Sequence, residues 1–232
     1  NQSRSMPAAF TEGRITDEVS TTIEMPSRKQ PRMMYSTVST AITNNGILLT
    51  HGTVTLSGGL TTGPGSTLRV EGINTSGAGA LTLTSGLTNT ALIELTDVVA
   101  GYGASLTVTG GPLINEPTGQ IVARAGLNGP RTLAATLDNR GTVTLERALT
   151  LNGASAAHSN SGTIDLAGGL FTLTQSGTGP SFTNTSTGVV TLTNGWTVNG
   201  GTLDLTVGTV SGSGLLTVNN AAFLYTFATV PR

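Results

Sequence analysis

Two stretches decide the fold: residues 137–145 read LDNRGTVTL, and residues 158–166 read HSNSGTIDL. Each has Asn at its third position, followed by a short turn and then alternating apolar residues. Residues 42–49, 87–95, 113–121 and 182–192 repeat the pattern, and successive units from residue 87 onward start 26, 24, 21 and 24 residues apart. Period-2 alternation between Gly, Ser and Asn turns is typical of short β-strands.

A repeat of this length, with two or three short strands, predicts one coil of a parallel β-solenoid. One coil cannot bury its own apolar face, so stacked coils share a continuous core. We therefore predict an all-β parallel β-helix (β-solenoid) of roughly eight or nine coils. Asn side chains that recur at one corner are expected to stack as an amide ladder, and the predicted members are Asn89, Asn115, Asn139, Asn160 and Asn184.

The two ends of the chain differ from its middle, which gives three segments: an extended arm over 1–40, the solenoid over 41–220 and an apolar segment over 221–232. Residues 1–34 carry nine of the 23 charged residues. β-branched residues favour an extended strand in the arm, lying either on its own solenoid or on a neighbouring subunit. The apolar segment either caps the last coil or contacts the next subunit. The contact candidates are Ile15, Val19, Ile23, Phe223, Leu224, Tyr225 and Phe227.

Composition excludes several classes of protein. The chain has 32 Gly, no Cys, 10% charged residues and a net charge of −1. A disulfide scaffold and a thiolate metal site need Cys. A nucleic-acid partner needs a basic patch, so we expect none. No apolar run reaches the roughly 18 residues of a membrane-spanning helix, and we expect no membrane insertion.

The repeat units, together with residues 200–205 (GGTLDL) and 211–218 (SGSGLLTV), resemble the right-handed β-helix of bacterial autotransporter passengers and filamentous haemagglutinin-like exoproteins. The resemblance covers roughly residues 40–220. It implies export and an extracellular or cell-surface location, and it supplies no catalytic residues.

Residues that could carry chemistry are few. His158 occupies the apolar position before a ladder Asn and is interpreted as structural, and His51 lies in a Thr-His-Gly turn with no evident partner. Glu94 and Asp165 share a strand position in the repeat, and Asp204 looks analogous. Asp165 and Asp204 would then lie two rungs apart, near the outer limit for an inverting glycosidase. However, no Lys, Arg or His is evident in the same columns. We expect no enzyme activity, no cofactor and no metal.

The leading hypothesis is a non-enzymatic structural protein, a subunit of an extracellular fibre or matrix that assembles head to tail with itself. The alternative is an adhesin passenger whose side face binds a glycan or host surface, for which the long insert over residues 97–105 is a candidate. The third is a polysaccharide-active β-helix enzyme.

Overall fold

The protein folds as a parallel β-solenoid of about nine turns. The computed structural model describes the backbone of residues 23–25 and 32–36 and the complete residues 37–99 and 101–226. This part of the chain forms strands and turns, and it contains no helix long and apolar enough to cross a membrane. The predicted all-β solenoid is confirmed.

The strands are short, as expected for a solenoid rich in Gly and Thr. In chain order they are β1 (Ile23–Met25), β2 (Arg32–Val38), β3 (Ile42–Asn44), β4 (Ile47–Leu56), β5 (Leu60–Thr62), β6 (Thr67–Gly72), β7 (Gly79–Leu83), β8 (Leu87–Asn89), β9 (Leu92–Asp97), β10 (Ala104–Val108), β11 (Leu113–Asn115), β12 (Gln120–Ala123), β13 (Arg131–Ala134), β14 (Leu137–Asn139), β15 (Thr142–Leu145), β16 (Leu149–Ala154), β17 (Ala157–Asn160), β18 (Thr163–Asp165), β19 (Phe171–Ser176), β20 (Ser181–Asn184), β21 (Val189–Thr191), β22 (Trp196–Asn199), β23 (Thr202–Leu205), β24 (Thr209–Ser211), β25 (Leu216–Asn219) and β26 (Ala222–Tyr225).

Each complete coil places one strand on each of three faces. Face A holds β1, β3 and β5 and then β8, β11, β14, β17, β20, β23 and β26. Face B holds β6, β9, β12, β15, β18, β21 and β24, and face C holds β7, β10, β13, β16, β19, β22 and β25. The long strands β2 and β4 run along both face B and face C, so these two faces form one sixteen-stranded sheet. The ladders between coils are parallel, as in β10 with β7 and β13.

The core lies along the axis because alternate residues of every strand point inward. In β10 the residues alternate between buried and half-buried. One inward column of face C is fully buried and consists of Val54, Leu81, Leu106, Leu133, Leu151, Leu173 and Val198. Burial of each such side chain stabilises the fold by about 1.5–3 kcal/mol.

The corner between faces B and C varies most in length. The connections over residues 73–78, 98–103 (residue 100 lies outside the described residues) and 124–130 join strands of three successive coils, whereas the next coil turns over residues 146–148. Long connections at one corner of neighbouring coils project from the same side of a solenoid. They form the loop cluster described below.

Candidate functional site

Exposed apolar side chains concentrate at two places on the molecule. Of the ten large hydrophobic residues that the described part of the chain exposes, eight lie either in the loop cluster or in the last coil. The loop-cluster members are Val98, Val99, Tyr102 and Leu127, and the last-coil members are Val207, Leu215, Leu224 and Tyr225. Contiguous exposed apolar surface marks interaction sites, so these two regions are the candidate functional sites.

The C-terminal end is a coil whose apolar residues remain partly open to solvent. Trp196 and Val198 are fully buried, whereas their partners one rung on, Leu216 and Val218, are only half-buried. A cavity of about 300 Å³ lies beside Leu216, between β24 and β25. Residues 206–226 carry no charged side chain. This end therefore presents uncharged, incompletely covered core.

The predicted contact residues are divided among different regions of the chain. Phe223, Leu224 and Tyr225 form part of β26, which pairs with β23, and the Phe223 and Tyr225 rings stack with centroids 4.7 Å apart. Ile23 lies in β1, whose backbone pairs with β3. Ile15, Val19 and Phe227 lie outside the described residues.

The loop cluster is held by a buried ion pair. Asp97, at the end of β9, and Arg131, at the start of β13, are each 1% exposed and bonded through Oδ1 and Nη2. The Asp97 carboxylate also accepts backbone N–H bonds from Leu127 (3.0 Å), Asn128 (3.1 Å) and Gly129 (3.1 Å). The carboxylate thus fixes the loop that displays Leu127.

Arg131 occupies an inward position of face C, in register with Ala104 on one side and Leu149 on the other. A buried arginine is tolerated only when it is paired and hydrogen-bonded. Burial alone would raise the pKa of the Asp97 carboxyl. The hydrogen bonds from Arg131 and from the Gly129 and Asn128 backbone outweigh burial and hold that pKa below its usual value.

Close packing of the backbone completes the cluster. A Cβ at Gly129 would lie 2.0 Å from the Tyr102 carbonyl oxygen, so only glycine lets the loop over 124–130 rest on Gly101 and Tyr102. Gly126 has φ +50°, and a Cβ there would lie 2.1 Å from Asp97 Oδ1. These close contacts hold the loop over 124–130 against Asp97 and residues 101–102.

A chain of ion pairs leads from face B to the cluster. Glu94, with its side chain 4% exposed, receives Arg69 Nη2 and Arg124 Nη2 at 2.6 Å each, and Arg124 Nη1 reaches Glu146 Oε1 at 2.6 Å. The expectation that no basic residue shares the column of Glu94 is wrong, because β6 pairs Arg69 directly with Glu94. These charges neutralise one another.

The asparagines 89, 115, 139, 160 and 184 stand on face A, and each is fully buried. The side-chain Nδ2 of each of the first four donates to the Oδ1 of the next asparagine, at 2.8, 2.8, 2.7 and 2.8 Å along the series. The Nδ2 groups also donate to backbone carbonyls, such as that of Thr163 from Asn139 (3.1 Å). We call this series the Asn ladder. Leu205 and Tyr225 follow it in the last coils.

Both histidines are buried. His51 is not in a free turn, as expected from the sequence, but in the middle of β4, where Nε2 lies 2.9 Å from Glu71 Oε1. The interpretation that this residue lacks a partner is wrong. His158 accepts a bond from the Leu137 backbone N–H at Nδ1 (3.1 Å), and burial lowers the pKa of His158 to about 4.

The two aspartates considered for glycan cleavage do not share a column. Asp165 pairs with Thr144 and Thr191 on face B, whereas Asp204 pairs with Thr183 on face A. The predicted alignment of Asp204 with Asp165 is therefore wrong. Each carboxylate instead accepts a bond from the backbone N–H two residues later, at 3.1 and 3.0 Å respectively. Within the described residues, no group of three or more His, Asp or Glu side chains could hold a metal ion.

Sequence reasoning missed the Asp97–Arg131 pair, which carries the loop cluster. Its one signal was local: Arg131 takes the place of an apolar residue at the first position of a strand that otherwise alternates normally. No protein-family model, curated protein sequence or solved structure matches this chain. The comparisons therefore lend no support to the resemblance to autotransporter passengers or haemagglutinin-like exoproteins. The structure shows the β-solenoid fold alone.

Proposed function

We propose that this protein is a non-enzymatic structural subunit, secreted or displayed at the cell surface, whose copies join end to end in an extracellular fibre or matrix. The observation that carries the proposal is the C-terminal coil, which combines half-buried core residues, a cavity and no charge. Uncovered terminal coils of repeat proteins promote association. The extracellular location rests on the repeat's resemblance to exported β-helices.

Electron microscopy of the purified chain at rising concentration tests the proposal, with light scattering as the second measurement. We expect rods that lengthen along one axis, and a molar mass that grows with concentration. Leu215→Lys should prevent growth without lowering the melting temperature, because the Leu215 side chain is 73% exposed. Leu170→Lys is the matched control, since Leu170 is 44% exposed on a lateral corner. A strictly monomeric particle at every concentration contradicts the proposal.

The loop cluster favours a second candidate function, recognition of an uncharged glycan or host-surface ligand by the side of the rod. Val98, Val99, Tyr102 and Leu127 are exposed, and Asp97 fixes the loop that carries Leu127. Of the neighbouring Arg side chains, Arg124 and Arg131 are paired with carboxylates, and Arg147 donates to the Asn128 side-chain oxygen. A glycan-array and cell-binding assay would test this function. The Tyr102→Ser and Leu127→Ser double variant should lose binding, whereas Leu170→Ser should retain it. Equal binding by both variants would exclude the loop cluster as the binding surface.

A further inference from the structure

The strands of the last coil on faces B and C are paired along only one of their two edges. β24 pairs with β21 and β25 with β22, and no described strand pairs with the other edge of either. The outer edge of a sheet presents backbone N–H and C=O groups that can accept another strand. Faces B and C therefore both end in a surface suited to strand addition.

The first coil presents the complementary edge on the same two faces. β2 pairs with β4, and no described strand pairs with its other edge. Arg32 and Met33 pair with the face B half of β4, and Ser36, Thr37 and Val38 pair with its face C half. Because the ladders between coils are parallel, a second copy displaced along the axis would present β2 with the strand direction that β24 and β25 require.

The register of face C specifies which residues would meet. Pairing from coil to coil places nine residues in one outward column: Thr37, Thr55, Thr82, Thr107, Ala134, Asn152, Thr174, Asn199 and Asn219. Thr37 stands at the first coil and Asn219 at the last, and both are exposed. Side chains at consecutive rungs of this column reach each other, since Asn219 Nδ2 donates to Asn199 Oδ1 at 3.0 Å.

We infer that the partner at the C-terminal end is the N-terminal end of a second copy, stacked by translation so that β25 pairs in parallel with the face C half of β2 and Asn219 lies beside Thr37. The inference rests on the proposed end-to-end assembly and names its contact surfaces and register. The new interface would continue the coil-to-coil interface that the molecule already repeats. Half-buried Leu216 and Val218 and the adjacent cavity would be covered by the incoming coil. The absence of charge over residues 206–226 means that no charge from this segment is desolvated.

Cysteine cross-linking tests the register, because the native chain contains no Cys. Directly paired residues on adjacent parallel strands lie about 4.8 Å apart, within the Cα separation of about 4.4–6.8 Å that a disulfide spans. The Thr37→Cys and Asn219→Cys double variant, oxidised under assembly conditions, should give a covalent ladder of dimers, trimers and longer oligomers on a non-reducing gel. The matched control joins Thr37→Cys with Thr209→Cys, because Thr209 is also exposed but lies on face B. It should stay largely monomeric.

The outcomes separate the inference from the proposed function. Filaments in the micrographs without cross-linking above the control overturn the translational register but leave the fibre proposal standing. A covalent dimer from Asn219→Cys alone would indicate tail-to-tail contact and also overturns the register. Absence of both filaments and cross-links overturns the inference together with the proposed function. Unchanged melting temperatures of the variants establish that each folds.

Discussion

The Asn ladder predicts a large loss of stability from a single interior substitution. Asn139 accepts a bond from Asn115 and donates one to Asn160, with 0% of its own surface exposed. Asn139→Leu removes both bonds. The matched control is Asn152→Leu, the same change in the same coil at a half-buried, outward position of face C.

The expected magnitude follows from the partners left behind. Replacement by Leu deprives Asn115 Nδ2 and Asn160 Oδ1 of a hydrogen bond inside the solenoid, and an unsatisfied buried polar group costs about 1–3 kcal/mol. We therefore expect the free energy of unfolding to fall by about 2–6 kcal/mol. The surface control should change it by less than about 0.5 kcal/mol.

Asn139→Asp separates hydrogen bonding from packing, because Asp has nearly the shape of Asn. It places an acceptor where Nδ2 now donates to the Asn160 Oδ1 and Thr163 O atoms. Burial beside these oxygens would raise the pKa of the new carboxyl. The loss in the free energy of unfolding caused by Asn139→Asp is therefore complete above that raised pKa. The loss becomes smaller as the pH falls, because the protonated carboxyl can donate a hydrogen bond. The stability losses of Asn139→Leu and Asn139→Asp would be measured by urea unfolding, monitored by circular dichroism and compared with the parent protein at each pH. Equal losses for Asn139→Leu and Asn152→Leu, or a pH-independent Asn139→Asp, would refute this reasoning.

Asp97→Asn should cost about 3–5 kcal/mol in urea unfolding, because it leaves Arg131 charged and buried; adding Arg131→Met should recover part of the loss. Because folding lowers the pKa of Asp97, the ionised carboxylate stabilises the folded state at any pH above its unfolded-state pKa, near 3.9. This stabilisation is lost only as the pH falls through the lower folded-state pKa. The Leu127, Asn128 and Gly129 amides should accordingly resist hydrogen exchange at mildly acidic pH. His158 is expected to oppose folding in acid: with its pKa lowered to about 4, stability should decrease by about 3 kcal/mol from pH 6.5 to 4. His158→Phe, which matches Phe182 in the next rung, should reduce the dependence of stability on pH. If the variant lost as much stability between pH 6.5 and 4 as the parent, His158 would not be its cause.

The coil architecture could be predicted because its signal is local. Apolar alternation, turn residues and a recurring Asn each lie within one unit, and the stacking follows from the need to bury every coil's apolar face. Which face a short motif occupies is not local. Residues 162–166 (GTIDL) and 201–205 (GTLDL) have nearly the same letters, yet they lie on faces B and A. All three faces alternate apolar and polar residues, so the motif alone could not place Asp204.

The buried polar pairs were missed for a related reason. Arg131 meets a carboxylate 34 residues earlier, across a corner of irregular length. His51 meets Glu71 across a coil in which β4 passes from face B to face C without a turn. Long-range pairs of this kind depend on the register, and loops of unequal length conceal the register in the sequence.

The Asn ladder explains how the solenoid tolerates such unequal coils. Successive ladder residues are 26, 24, 21 and 24 positions apart, yet their amide bonds stay between 2.7 and 2.8 Å. Inserted residues are therefore absorbed at the corners while the buried amides hold each coil in line, since a one-residue slip would turn apolar side chains outward. In the last two coils Leu205 and Tyr225 take the ladder position in place of asparagine. The inward packing of the last coil is incomplete at Leu216 and Val218, although Asn219 Nδ2 still donates to Asn199 Oδ1 at its outer surface (3.0 Å). In the proposed assembly, a coil stacked from a second copy would complete that packing, so the same contact that extends the rod would also cover the last coil.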